Sequence, residues 1–238
     1  MKKLGLLAFA LSFIFAHSSA FADDRLSEDP ILYIGDSISY GKFGATIDAA
    51  LRQLSNHVTT EASCGSAPSN WLPQTGTNAP PYAKTVCGFW KKFGANPSDE
   101  LRMKNYNTPQ LLQELSSIHP KLTVVQLGTN IASKKDPLST LGSVREMLQD
   151  IKNAGSQCIW IGPPSAHTPI IPESRLTATD EMLASQATKI GCYYVHTMTF
   201  TAAPPTGDGI HPGPQLAIQW ADAVLARINA TLKQDVNH

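Results

Sequence analysis

The run Ile31-Leu32-Tyr33-Ile34 is apolar at four successive positions, and Gly35 stops it. Such a run, without polar alternation, predicts a short strand buried on both faces. After a polar turn, Phe43, Ile47, Ala50, Leu51 and Leu54 recur at helical spacing. The order is strand, tight turn, helix, with Ser37 in the turn. A serine there sits at the carboxyl end of a strand and near the amino end of a helix. Its hydroxyl can face solvent while nearby backbone N–H groups face a developing anion.

The same alternation continues along the chain. Strands are predicted at 57–62, 121–127, 158–161 and 192–196, and helices at 108–118, 138–154, 172–190 and 215–232. Thr108 is expected to cap its helix, with Pro109 at the first helical position. Apolar strands alternating with helices predict an α/β fold, with a five-stranded open parallel sheet covered on both faces. Residues 66–107 interrupt the pattern with Pro68, Pro73, Pro80, Pro81 and Pro97 and with Trp71, Tyr82, Phe89, Trp90, Phe93 and Tyr106. A long irregular stretch inside one domain is usually functional or disordered, and the aromatic content argues for an ordered excursion, with a helical turn at 89–93.

The first 22 residues stand apart. Lys2 and Lys3 precede an almost wholly apolar stretch from Leu4 to Ala16, and Ala20-Phe21-Ala22 offers a cleavage site. This three-part pattern predicts an export signal cut after Ala22, and the apolar core is short for a membrane span. The remainder, 23–238, suits one domain and is expected to be periplasmic or secreted, with no stable span once the signal is gone. The chain carries 19 basic and 19 acidic residues, and without Lys2 and Lys3 the balance is 17 to 19. No basic stripe is present, which disfavours nucleic acid as a partner. Cys64, Cys87, Cys158 and Cys192 allow two disulfides in three pairings. Cys64–Cys87 is the local choice. Cys158 and Cys192 each start a predicted strand and either face each other or remain free thiols. Their spacing does not suit a zinc site, and neither metal nor cofactor is expected.

In open parallel sheets, ligands bind beyond the carboxyl ends of the strands. The polar punctuation comes after the strands: Ser37, then Gly65, then Gly128-Thr129-Asn130, then Asp208-Gly209-Ile210-His211-Pro212. These segments are expected to meet on one edge. There His211 would act as the base for Ser37, and Asp208 would hold the imidazole. The backbone N–H groups of Ser37 and Gly65 and the side chain of Asn130 would receive an oxyanion. Substrate contacts are expected from Trp71 and Trp90 in the excursion, which could equally fill its own small core, and from His167. For His167, as for His196, a structural role is the stronger expectation. The turn G-D-S-I-S does not match the G-x-S-x-G elbow of the common α/β-hydrolases.

These blocks resemble the GDSL/SGNH hydrolase superfamily over most of 31–232. Gly35-Asp36-Ser37-Ile38-Ser39 resembles its first block, Cys64-Gly65-Ser66 its second, Gly128-Thr129-Asn130 its third and Asp208-Gly209-Ile210-His211-Pro212 its fifth. The second block rests on Gly65 alone, without an adjacent asparagine. The resemblance implies a flavodoxin-like three-layer α/β/α sandwich. It also implies a serine esterase with the triad Ser37, Asp208 and His211, the oxyanion donors Ser37, Gly65 and Asn130, and no cofactor. The expected substrate is a small-molecule or glycan ester, first among them an O-acetylated glycan. The rivals are a lipolytic esterase or thioesterase with the same triad, a glycan-binding module without activity, and acyl transfer to a glycan.

Overall fold

In the computed structural model the described residues are 28–73, 87–94, 100–205 and 207–235. The segment read as an export signal lies outside them, as does Tyr82. The chain runs β1 (Ile31–Gly35), α1 (Ser37–Tyr40), α2 (Lys42–Leu51), β2 (Val58–Ser63), α3 (Pro68–Trp71), β3 (Phe89–Lys92), β4 (Glu100–Met103) and α4 (Leu111–Ile118). It continues through β5 (Leu122–Gln126), α5 (Thr129–Ala132), α6 (Leu141–Asn153), β6 (Gln157–Ile161), α7 (Glu173–Ile190), β7 (Tyr193–Val195) and α8 (Pro214–Asp235).

The sheet order is β4-β3-β2-β1-β5-β6-β7. The five strands from β2 to β7 in that order are parallel. β1 is central because both its faces are buried. Leu32 and Ile34 pack on one side with Val125, Trp160 and residues of α4, α6 and α7. Ile31 and Tyr33 pack on the other with Val124, Ile159 and residues of α2 and α8. Successive residues of a strand point to opposite faces, so a continuous apolar run fills two cores at once. The chain leaves β1 for β2 on one side and later returns to β5 on the other. The carboxyl end of β1 is therefore the switch point where such sheets open a crevice.

The five-stranded expectation is corrected to seven strands. The stretch 89–93, expected as a helical turn, is β3. It pairs antiparallel with β2, and β4 pairs antiparallel with it. The two lysines of β3 fix it, one through each face of the sheet. Lys91 lies against Glu61 of β2 and Glu114 of α4, the latter at 3.1 Å. Lys92 reaches Asp48 of α2 at 2.8 Å, where Arg52 and Thr60 also bind that carboxylate. The helix expected from Thr108 begins instead at Leu111. The Thr108 hydroxyl is engaged with Ser63 Oγ at 2.7 Å and does not cap it.

Both disulfide pairings are resolved. Cys64 joins Cys87, and Cys158 joins Cys192 across β6 and the start of β7. Among the described residues no helix is long and apolar enough to cross a membrane.

Glu61 is wholly buried, and burial, with Glu114 nearby, raises its pKa while Lys91 opposes the rise. Removing one partner of a buried pair strands the other. Lys91→Met is therefore expected to cost about 3 kcal/mol, the low end for such a deletion because Glu61 can take up a proton. Adding Glu61→Gln to Lys91→Met should recover most of that loss. Urea denaturation of the two variants checks both values.

Candidate active site

The turn after β1 is built around Asp36. Its side chain accepts from the Ile38 N–H at 2.9 Å and so starts the single turn of α1. That turn presents Ser37 at the carboxyl edge of the sheet. Asp208 caps its own loop in the same manner, with Oδ1 accepting from the N–H groups of Ile210 and His211, each at 2.9 Å. Its Oδ2 lies 2.6 Å from His211 Nδ1, and His211 Nε2 lies 2.8 Å from Ser37 Oγ. With Asp208 ionised, Nδ1 carries the proton and donates, leaving Nε2 to accept from the Ser37 hydroxyl. Residues 174 positions apart are thus in hydrogen-bond contact.

Gly209 is required inside that loop. A Cβ there would stand 1.9 Å from the His167 carbonyl oxygen, and its φ is 71°. The His167 N–H in turn donates to the Gly209 carbonyl at 2.8 Å. The structure therefore sets His167, whose side chain is exposed, on the loop alongside Asp208 and His211. Gly65 sits at the third position of the turn closed by Ser66 N–H to the Ser63 carbonyl, with φ 82°, a conformation that favours glycine. That turn bond uses the Ser66 N–H and not the Gly65 N–H.

Asn130 ties these turns together. Its Nδ2 donates to the Ser66 carbonyl at 3.0 Å and to Asp36 Oδ2 at 3.3 Å. The ends of β1, β2 and β5 thus converge on one amide. Behind the rim, Arg175 joins two loops by donating to the carbonyls of Lys134 at 2.7 Å and Ile170 at 2.8 Å.

A buried polar chain lies beneath the serine. Tyr33 Oη is 2.7 Å from Ser39 Oγ, which donates to Gln126 Oε1 at 2.7 Å. Burial pushes the Tyr33 phenol up, so it acts as a donor to Ser39. The Gln126 amide nitrogen faces the Asp36 carboxyl without a well-directed hydrogen bond, yet helps to lower its pKa.

The two aspartates have opposite electrostatics. Burial drives Asp36 up to about 7, against the opposing pull of the Ile38 N–H, the His211 charge, Asn130 and Gln126. For Asp208 burial also raises the pKa, but the hydrogen bonds from His211 and Ile210 outweigh it and hold the carboxyl at about 2. Asp208 thus stays ionised at any ordinary pH, whereas Asp36 titrates near neutrality.

Two expected substrate contacts are corrected. Trp71 has no exposed surface, and its indole N–H donates to Ser66 Oγ at 3.1 Å. Trp90 is 1% exposed, on β3 itself, with the Arg102 guanidinium over its ring. The Trp71 ring has gone into core packing, and the Trp90 ring is covered and not open to a ligand. His196 binds Asp180 at 2.8 Å, and that carboxylate also accepts from Tyr194. The sequence pattern does not single out Tyr33, Ser39 and Gln126. The available signal was Gln126, an amide closing the otherwise buried run Leu-Thr-Val-Val.

The α/β/α architecture is the fold of several solved esterases and lipases. A carbohydrate acetylesterase from Sinorhizobium meliloti, Est24, superposes with a TM-score of 0.57 at 13% identity, over 86% of this chain and 100% of that one. A GDSL-like lipase from Bacteroides thetaiotaomicron gives 0.53 at 13% identity, over 86% and 89%. In sequence, the chain is 25% identical to Protein BcsX of Komagataeibacter xylinus over 182 residues, which are 74% of this chain and 66% of that protein. The chain thus spans just under two thirds of this relative's length. No protein-family model matches the chain.

The raised pKa of Asp36 has a consequence for stability. Between the unfolded carboxylate value near 4 and about 7, the folded state holds a proton that the unfolded chain releases. Stability therefore falls as pH rises through that window and levels off above it. Asp36→Asn retains an acceptor for Ile38 and carries no titrating group. The difference in denaturation free energy between wild type and Asp36→Asn is expected to shift against the wild type from pH 4 to pH 7. A difference constant over that range would contradict it.

Proposed function

We propose that this protein is an exported serine esterase that removes O-acetyl groups from a glycan. The observation that carries the reading is the unbroken hydrogen-bonded line Asp208–His211–Ser37 on the carboxyl edge of the sheet. Ser37 Oγ would attack the ester carbonyl as His211 Nε2 takes its proton, and the imidazolium would be stabilised by Asp208. The oxyanion would be met by the N–H groups of Ser37 and Gly65 and by Asn130 Nδ2, one of whose hydrogens would turn from its resting partner. His211 would return the proton to the departing sugar hydroxyl. Water, deprotonated by the same imidazole, would then release acetate from Ser37.

Three observations support the finer parts of this reading. The His211 and Asp208 side chains are 46% and 52% exposed, so the line lies open on the rim. An open rim admits a bulky polymer carrying a small acyl group more readily than it encloses a long acyl chain. The structural relative Est24 is described as a carbohydrate acetylesterase. Two disulfides accord with an oxidising compartment outside the cytoplasm.

A fluorophosphonate probe is expected to label the wild type and to leave Ser37→Ala unlabelled. Equal labelling of both, or labelling of neither, would overturn the nucleophile. Asn130→Ala should lower kcat on p-nitrophenyl acetate by about 10²–10³, the usual cost of one lost oxyanion donor. Acetyl esters should be preferred to octanoyl esters of p-nitrophenol, and the reverse order would favour a lipolytic enzyme with the same triad.

A further inference from the structure

The hairpin of β3 and β4 is an addition to the five parallel strands, and it places Arg102 beside the turn that carries Ser37. Arg102 stands opposite Trp90 in the register of the hairpin, and its guanidinium carbon lies 4.8 Å from the centre of that ring. The centre of the Tyr40 ring lies 5.2 Å from the same carbon. The guanidinium also donates to the Tyr40 carbonyl at 3.2 Å. Glu100, on the same face of β4 as Arg102, accepts from its Nε at 2.5 Å.

Tyr40 connects this cluster to the nucleophile. It comes three residues after Ser37 on the single turn of α1, so the two side chains share a face, with about 5–6 Å between their Cβ atoms. Gly88 leaves room for the Tyr40 ring, since a Cβ there would stand 3.1 Å from the phenol oxygen. The Gly88 carbonyl accepts from the Cys64 N–H at 2.9 Å, and Cys64 is disulfide-bonded to Cys87. The ring is therefore held beside the Gly65 turn. The Arg102 and Glu100 side chains remain 43% and 35% exposed.

We propose that Tyr40, Arg102 and Glu100 form the subsite for the sugar ring that bears the ester. This rests on the esterase reading above and names the part of that site which selects the alcohol. The chemistry narrows the ligand. An anionic group would meet the Glu100 carboxylate next to the cation it sought. An apolar chain would strip water from a charged pair, which is costly. A neutral polyol suits both, because its hydroxyls donate to a carboxylate and accept from a guanidinium while a C–H face rests on a phenol ring. Among the described residues, Arg102 Nη2 makes no hydrogen bond and is available to a sugar hydroxyl.

The test compares two substrates of one enzyme, O-acetylated xylo-oligosaccharides and p-nitrophenyl acetate, for wild type, Arg102→Ala, Arg102→Lys and Glu100→Gln. The ratio of kcat/KM on the oligosaccharide to that on p-nitrophenyl acetate is expected to fall at least tenfold in Arg102→Ala. The fall should appear as a raised KM, with Arg102→Lys and Glu100→Gln intermediate. An unchanged ratio in all three variants, with the wild type active on both substrates, would overturn the subsite alone. A wild type active on p-nitrophenyl acetate and inactive on the oligosaccharide would overturn the glycan reading and the subsite with it. Should Arg102→Ala fail to fold, the ratios of Arg102→Lys and Glu100→Gln decide the matter by the same criterion.

Discussion

One buried carboxyl organises the edge of this sheet. Asp36 starts the turn that presents Ser37, and it accepts from the amide of Asn130 on the far side of β1. That amide is in turn bound to the carbonyl beyond β2. Three strand ends, separated in sequence by long connections, are held in register by a single polar group with no exposed surface. A buried polar group without partners would cost several kcal/mol, so such a knot is either well satisfied or not retained. Here it is satisfied by the Ile38 N–H and the Asn130 amide, and that amide also donates to the Ser66 carbonyl beside Gly65.

The same carboxyl explains why the two aspartates of the site must differ. In the proposed esterase, a negative charge beside the place where an oxyanion would develop would oppose it. Burial keeps Asp36 largely neutral below pH 7, whereas the exposed Asp208, fixed by three hydrogen bonds, is ionised where an imidazolium would need it. The placement of the two groups, one under the turn and one on the rim, separates structural support from charge stabilisation. The Tyr33–Ser39–Gln126 chain extends that support inward and orients the Gln126 amide toward the buried carboxyl.

The parallel sheet was legible because its signal is local and apolar. Ile31 to Ile34 and Leu122 to Val125 must be buried on both faces, and helices must cover them. The polar punctuation at Ser37, Gly65, Asn130 and Asp208 to His211 was legible because each comes after such a strand. The structure brings all of these residues to one edge, with Ser37, His211 and Asp208 in direct line. The hairpin was not legible, because its strands lack a period-two apolar pattern. Phe89-Trp90-Lys91-Lys92 reads as a strand only once Glu61 and Asp48 are known to face its two lysines from opposite sides of the sheet. Trp71 and Trp90 were ambiguous for a related reason. A tryptophan beside a glycine-rich turn serves a core or a ligand equally well until the space around it is known.

That contrast extends to what holds each part of the fold. The parallel strands are fixed by two apolar cores, which are insensitive to the solvent and leave the strand ends rigid. The hairpin is joined to the sheet by main-chain pairing, two lysine-centred ion clusters and the disulfide at Cys87. Its outer strand, β4, is exposed along its length. An element attached in this way can change its outward residues without disturbing the packing beneath Ser37. Function on a common fold is set by what is grafted at its edge. On this chain the hairpin is added at that edge, and it places Arg102 over the ring of Tyr40, on the turn of Ser37, and bonded to the Tyr40 carbonyl.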